Sequence, residues 1–354
     1  MTDTVEISVT KTDRSRLKDI NLEDIPFGKY FTDHMLEADY ENGEWKSVEI
    51  KPYQPLLLEP SLAALHYGQA IFEGIKAYRS HNGDAYIFRP IDNFMRFNRS
   101  AARMNMPLIP EELFMEGMRQ LIALDKDWIP TKKDHSLYIR PVMFAVDTVL
   151  GVRPSENYKF LILLSPTGPY YASPMKIMVE EKYTRAAPGG VGFSKNAGNY
   201  GGSMLAASLA KQKGYDQVLW TDSAEHKWLQ EVGMMNVFFI IDKIAITPSL
   251  EDGTILEGVT RASVIQGLKD MNVAVEERKI SIDEIVDAYK LGKVSEVFGT
   301  GTAAVIAPIR ELNYKGMVMD FNVSDYKISE AVKNWLADLR EGRIQDKHGW
   351  MWKV

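Results

Sequence analysis

Hydrophobic and polar positions change their period several times along the chain, and each change predicts an element. In the first ninety residues strand-like stretches flank two Asn-Gly pairs, Asn42-Gly43 within Ala38–Lys46 and Asn82-Gly83 within Tyr78–Phe88. Asn-Gly supplies the positive φ values that tight hairpins need, so the chain is expected to open with β-hairpins. From Ile91 to Met106 the spacing turns helical, with Phe94, Phe97, Ala101 and Met104 on one side and Arg96, Arg99 and Arg103 near another. Pro107 and Pro110 end that run. A second helix is predicted over Glu111–Leu124, followed by strands over Ser136–Val146 and Tyr158–Ser165.

Pro166–Met175 is rich in Pro, Gly, Ser and Thr and punctuates the chain near its middle. The predicted domains are a smaller N-terminal α/β domain over residues 1–167, an interdomain loop over 168–178 and a larger C-terminal domain over 179–354. In the second half Met204–Gly214 reads as a helix and Gln217–Trp220 as a strand. Leu229–Ile241 reads as a long apolar strand opened by Glu231, and Asp242-Lys243 turns it back into Ile244–Thr247. Next come a helix over Val259–Met271, a strand over Val273–Glu276, a helix over Ile282–Tyr289, strands around Glu296–Ile309 and a terminal helix over Ile328–Leu339. This order predicts an α+β or mixed α/β fold of two domains, with a cleft between them as the default ligand site.

A length of 354 residues also fits two domains. A formal charge of -6 and the lack of a basic run argue against nucleic acid as partner. With zero cysteines there is no disulfide framework and no thiolate metal site, and no ligand-spaced histidine cluster suggests a metal. The opening MTDTVEISVTKTDRSR lacks a signal-peptide core, and no stretch of eighteen uncharged apolar residues occurs. The expectation is a cytoplasmic protein with no membrane partner.

The most informative chemistry lies in the glycine-rich run Pro188–Ser203, where Lys195 stands with no Asp or Glu from Lys182 through Tyr215. An amine near Phe193 and Tyr200 and away from carboxylates is a candidate imine-forming nucleophile. The run fails as a phosphate loop of the G-x-x-x-x-G-K-[ST] kind because Asn196 follows the lysine, and it fails as G-x-G-x-x-G because Lys195 occupies a glycine position. The plain alternative is a solvated lysine on a turn. Glu231 is either an exposed strand end or the partner of a protonated ring nitrogen. Gly258-Val259-Thr260 precedes a helical run, so its amides suit either a phosphate or an ordinary N-cap. Gly299–Ala304 offers a second small-residue turn, and Arg96 could add a guanidinium to a phosphate. Lysine, acid, tyrosine, phosphate-binding amides and arginine together match the needs of pyridoxal 5'-phosphate.

The blocks beginning Phe27-GKYFTDHM, Leu65-HYGQAIFEGIKAYR, Phe88-RP, Leu137-YIRP, Gly190-VGFSKNAGNYG, Glu231-VGMMNVFF, Gly258-VTR and Gly301-TAA resemble the branched-chain aminotransferases of fold type IV. The resemblance implies reversible transamination of Leu, Ile and Val with 2-oxoglutarate. It implies Lys195 as Schiff-base lysine and proton shuttle, Tyr200 on the ring hydroxyl and Glu231 on the pyridine nitrogen. Arg96, the Val259 and Thr260 amides and Thr302 would hold the phosphate. Phe72, Tyr138 and Tyr170 would line the apolar pocket, Arg140 would take the distal carboxylate of glutamate, and the Ala303 amide would touch the α-carboxylate. Tyr67 and the loop Leu150–Arg153, including Val152, would reach in from the second subunit of a homodimer. Met234 stands where many relatives have Thr near the substrate carboxylate, and Ala304 and Ala307 stand where some have a redox-responsive cysteine pair. The nearest alternatives are a D-amino-acid aminotransferase or aminodeoxychorismate lyase, and beyond enzymes a dimeric binding protein with a vestigial pocket.

Overall fold

The computed structural model describes residues 6–171 and 173–354. Among these the strands form two nine-stranded sheets, and the chain divides into two units. The first unit holds the chain up to Tyr170, takes back Ser194–Ala197 and ends with Asp338–Val354; the second holds Tyr171–Phe193 and Gly198–Ala337. One linear boundary cannot express this path. The stretch 168–178, read from sequence as a loop, already contains the start of strand Met175–Val179, and Met351–Lys353 pairs with Ala85–Phe88 of the first unit.

The first sheet runs Ser8–Val9, Glu44–Pro52, His34–Glu41, Tyr158–Thr167, Ser136–Ala145, Ile75–Arg79, Ala85–Phe88, Met351–Lys353, with Ala70–Phe72 added along Ser136–Ala145. The hairpin expected at Asn42-Gly43 is present, with φ of 53° and 84° at the two turn residues. Helices Pro90–Arg103 and Glu111–Leu124 bury Phe97, Ala101, Phe114 and Met118 in one core with Leu36, Ile75, Ala77, Leu137, Ile139 and Phe160. Side chains alternate across a strand, so burial of Ile75 and Ala77 against Ile139 and Leu137 turns Lys76 and its cross-strand partner Tyr138 to the opposite face. Arg140, two residues beyond Tyr138, shares that face.

In the second unit six strands close on themselves. Met175–Val179, Gln217–Thr221, Leu229–Val232, Met235–Ile241, Val294–Gly301 and Val305–Tyr314 pair in that cyclic order, the last returning to the first. The expected long strand Leu229–Ile241 is therefore two strands. They turn back at Gly233-Met234, where Gly233 takes φ 57° and donates its N–H to Val218 O at 2.7 Å, and Glu231 pairs with Asn236. Lacking a Cβ, Gly233 accepts the left-handed conformation that makes the turn and closes the ring. The helix expected from Met204 begins at Ala197 despite Gly198, Gly201 and Gly202. Its Ala206 and Ala210 pack against Val218 and Trp220, and this tertiary burial outweighs weak local propensity.

Candidate active site

In the first unit the backbone of Lys195 is pinned at both of its polar atoms. Its N–H donates to Ser100 Oγ at 2.9 Å, its carbonyl accepts from Phe72 N at 3.0 Å, and Asn196 bridges to Ile71. Lys195 thus stands on a short antiparallel bridge to strand Ala70–Phe72, braced by one helix. Its Nζ lies 5.1 Å from the centroid of Phe72, and the Arg140 guanidinium lies 4.7 Å from the same ring. Arg140 also donates to Tyr138 Oη and to the Glu73 carbonyl, both at 2.9 Å. Phe27 meets Tyr138 at 4.9 Å and Tyr170 at 5.0 Å, both edge-on, and so joins these two tyrosines. Phe72, Tyr138, Arg140, Tyr170 and Lys195 therefore form one connected group.

Beneath it lies a fully buried carboxylate, Glu73. Arg96 grips it with Nε at 2.7 Å from Oε1 and Nη2 at 2.8 Å from Oε2; Asn93 Nδ2 and Gly74 N donate to Oε2 at 2.8 and 3.0 Å. Burial alone would raise the pKa of Glu73. The charge and hydrogen bonds of Arg96, the charge of Lys195 and the Asn93 hydrogen bond hold it below the ordinary carboxylate value. Two expectations are corrected here. Lys195 is acid-free only along the linear sequence, because the charge of Glu73, from far upstream, interacts with its own in the fold. Arg96 does not lie on an exposed helix face; only 4% of it is accessible, and its side chain points inward with Asn93 and Ser100.

In the second unit Tyr200, Glu231 and Met234 line one small pocket with Arg185, Asn199, Ser203 and Gly233. Glu231 is buried, not an exposed strand end: Oε2 lies 2.9 Å from Arg185 Nε and Oε1 accepts from Leu256 N at 2.6 Å. Arg185 is fixed in turn by Thr254 O at 2.7 Å and Gly192 O at 3.2 Å. Helix Val259–Asp270 begins at Gly258 with no side-chain cap and no acid in its first turn. A Cβ at Gly258 would strike the Asn236 amide. Thr302 and Ala303 form the turn between strands Val294–Gly301 and Val305–Tyr314, and the neighbouring Thr300 hydroxyl is buried without a hydrogen-bond partner among the described residues. The free amides of an uncapped helix start and a hydroxyl without a partner are donors suited to an organic phosphate, and the buried acid suits a ring nitrogen. The residues present fit pyridoxal 5'-phosphate.

Tyr67 and Val152 do not join the first group; Tyr67, at the end of the short helix Ala63–Tyr67, is 42% exposed and Val152, on a loop, is 89% exposed. Sequence reasoning passed over Glu73, Arg185, Ser100 and Phe27. Glu73 and Phe27 lay within the resembling blocks, but only the fold reveals what they touch.

The chain belongs to the class IV amino-transferases, whose family model matches residues 70–312. Members of this class depend on pyridoxal 5'-phosphate, and similar solved structures include a T.th. branched-chain amino acid aminotransferase complexed with N-(5'-phosphopyridoxyl)-L-glutamate (26% identity, TM-score 0.71, 89% of this chain and 97% of that one). Within the class it belongs with the branched-chain-amino-acid aminotransferases. A probable branched-chain-amino-acid aminotransferase of Staphylococcus epidermidis is 48% identical over 93% of each chain. Branched-chain-amino-acid transaminase 1 of Bacillus subtilis is also 48% identical, over 93% of this chain and 94% of its own. The crystal structure of Escherichia coli branched-chain amino acid aminotransferase superposes with a TM-score of 0.75 at 28% identity, covering 90% of this chain and 98% of that one. The expected mixed α/β fold of the class IV amino-transferases is thereby established.

Proposed function

We propose that the chain transfers the amino group of a branched-chain L-amino acid, Leu, Ile or Val, to 2-oxoglutarate, with pyridoxal 5'-phosphate as carrier. When bound, the cofactor supplies an aldehyde for the amine and an electron sink for the α-carbon. Lys195 would offer its amine to that aldehyde and would hold and move the α-proton at its Nζ. Glu231, oriented by Arg185, keeps a proton on the ring nitrogen, and Tyr200 hydrogen-bonds the ring hydroxyl. Arg96, the Val259 and Thr260 amides and Thr302 hold the phosphate. Phe72, Tyr138 and Tyr170 wall the pocket, Arg140 receives the distal carboxylate of the dicarboxylate substrate, and the Ala303 amide receives the α-carboxylate. Met234, which lines the same small pocket as Glu231, would stand near that carboxylate without offering it a hydroxyl.

One observation carries this reading: the Lys195 amine and the Arg140 guanidinium lie against the same Phe72 ring. An apolar ring flanked by a carboxylate-binding group suits both a branched aliphatic side chain and glutamate. A homodimer is proposed because Leu57, Leu150, Val152 and Tyr67 are exposed at 102%, 68%, 89% and 42%, apolar surface that a second copy would cover. The cytoplasm is the proposed compartment, supported by the absence of cysteine. No described helix is long and apolar enough to cross a membrane.

Borohydride reduction of the loaded protein, followed by peptide mass analysis, should place the adduct on Lys195. Steady-state assays should show turnover of L-leucine with 2-oxoglutarate. A label fixed elsewhere, or turnover of D-alanine alone, would overturn the proposal.

A further inference from the structure

Glu73 grips the proposed phosphate-holding arginine, its charge acts together with that of the proposed amine, and no role so far has required it. Its side chain is wholly enclosed, and three different groups donate to its two oxygens: Arg96 to both, Asn93 and the Gly74 amide to Oε2. The backbone that carries it, between strands Ala70–Phe72 and Ile75–Arg79, is locked as well. Glu73 N donates to Pro141 O at 2.8 Å, and the Glu73 carbonyl accepts from Arg140 at 2.9 Å. The Glu73 carboxylate and the Arg96 guanidinium are both buried, and a buried pair of opposite charges is costly unless its geometry is kept tight.

We infer that Glu73 is a positioning residue for the transamination reaction: its carboxylate fixes the Arg96 guanidinium for the cofactor phosphate and serves as the fixed counter-charge of the Lys195 amine. The inference rests on the roles proposed above for Arg96 and Lys195. Two geometric facts separate this from a bland structural pair. The bidentate grip uses Nε and Nη2 of Arg96, so the carboxylate sets the plane and direction of the whole guanidinium. Lys195 is tied by its backbone to strand Ala70–Phe72, one residue from Glu73, so the two residues spring from one hydrogen-bonded backbone unit.

The test uses the full-length protein with Glu73→Gln and Glu73→Asp. In cofactor-stripped protein, acetic anhydride labelling of Lys195 at fixed neutral pH, read by mass spectrometry against exposed lysines, should run about tenfold faster in E73Q, because the amine is no longer engaged by an opposing charge. E73D keeps the charge and should label within twofold of the parent. For the phosphate arm, the affinity ratio of pyridoxal 5'-phosphate to pyridoxal should fall about tenfold in both variants, because each loses the bidentate grip. A purely structural role would weaken both ligands alike and leave the ratio unmoved. If E73Q does not fold, E73D decides alone: an unchanged affinity ratio there overturns the inference, as would unchanged Lys195 labelling in a folded E73Q. Failure of the underlying functional reading shows separately, as borohydride adducts away from Lys195 in the parent protein.

Discussion

Gly74 sits at the tightest approach in the first unit, and enlarging it tests how the Arg140 site is held. A Cβ at position 74 would stand 3.0 Å from Tyr138 Cζ and closer still to its hydroxyl. Ordinary carbon contacts begin near 3.5 Å, so the ring of Gly74→Ala must swing by roughly 1 Å at its hydroxyl end. Tyr138 is only 7% exposed, faces Phe27 edge-on and is spoken for by the Arg140 hydrogen bond, so it has little free space to use. Overpacking of this kind costs about 1–3 kcal/mol in stability. Losing the charged hydrogen bond to Arg140 should cost about 1.5–3 kcal/mol wherever Arg140 must hold a carboxylate. The expected result is a drop of about tenfold to a hundredfold in kcat/KM for 2-oxoglutarate, with a several-fold smaller loss for L-leucine, whose side chain makes no demand on the guanidinium. Half-reaction kinetics followed by cofactor absorbance separate the two substrates. Equal losses for both, or none in a protein of unchanged Tm, would refute the assigned link from Gly74 through Tyr138 to Arg140.

Arg185→Met removes the partner of a buried carboxylate and should lower stability by about 3–5 kcal/mol, read by urea unfolding, while weakening cofactor retention; a variant as stable as the parent would contradict the Glu231 pairing. Lys76 is buried, and burial together with the charge of Arg340 brings its pKa down to about 7. A folded chain then binds fewer protons than the unfolded one between about pH 7 and the ordinary lysine value of 10.5. This group's penalty is therefore complete below pH 7 and lifts as pH rises, by up to about 1.4 kcal/mol per unit. Lys76→Met should stabilise the protein most at pH 7 or below and progressively less toward pH 10; a gain that ignores pH would be the wrong outcome.

The features legible in the sequence were those written by neighbouring residues. Asn42-Gly43 specified its hairpin because turn geometry is a property of two adjacent residues. The helix Glu111–Leu124 followed its apolar period to the same limits. Gly233 was a different matter, a single glycine in an otherwise continuous apolar run, where the alternatives of bulge and reversal are decided by the Val218 carbonyl waiting across the ring. The same reason hid Glu73. Its local surroundings, Ile71-Phe72-Glu73-Gly74-Ile75, read as a strand carrying one acid, and only the bridge from Ile71 to Asn196 brings that acid to the lysine. Arg96 shows the limit of helical-face reasoning, since a charged residue can occupy the inward face when a buried opposite charge is waiting for it.

The margins of the two sheets have a practical side. A ring has no lateral border, so the six-strand circle itself offers no row of free amides to which a stray chain could zip, and the edges of its sheet fall on the short strands Val275–Glu277 and Met317–Asp320 that pair outside it. The open sheet does have borders, and both are guarded by the extremities of the polypeptide, Ser8–Val9 on one flank and Met351–Lys353 on the other, pieces too brief to recruit a neighbour. Trimming either extremity would bare the longer strands Glu44–Pro52 or Ala85–Phe88, turning a protected flank into a sticky one at high concentration.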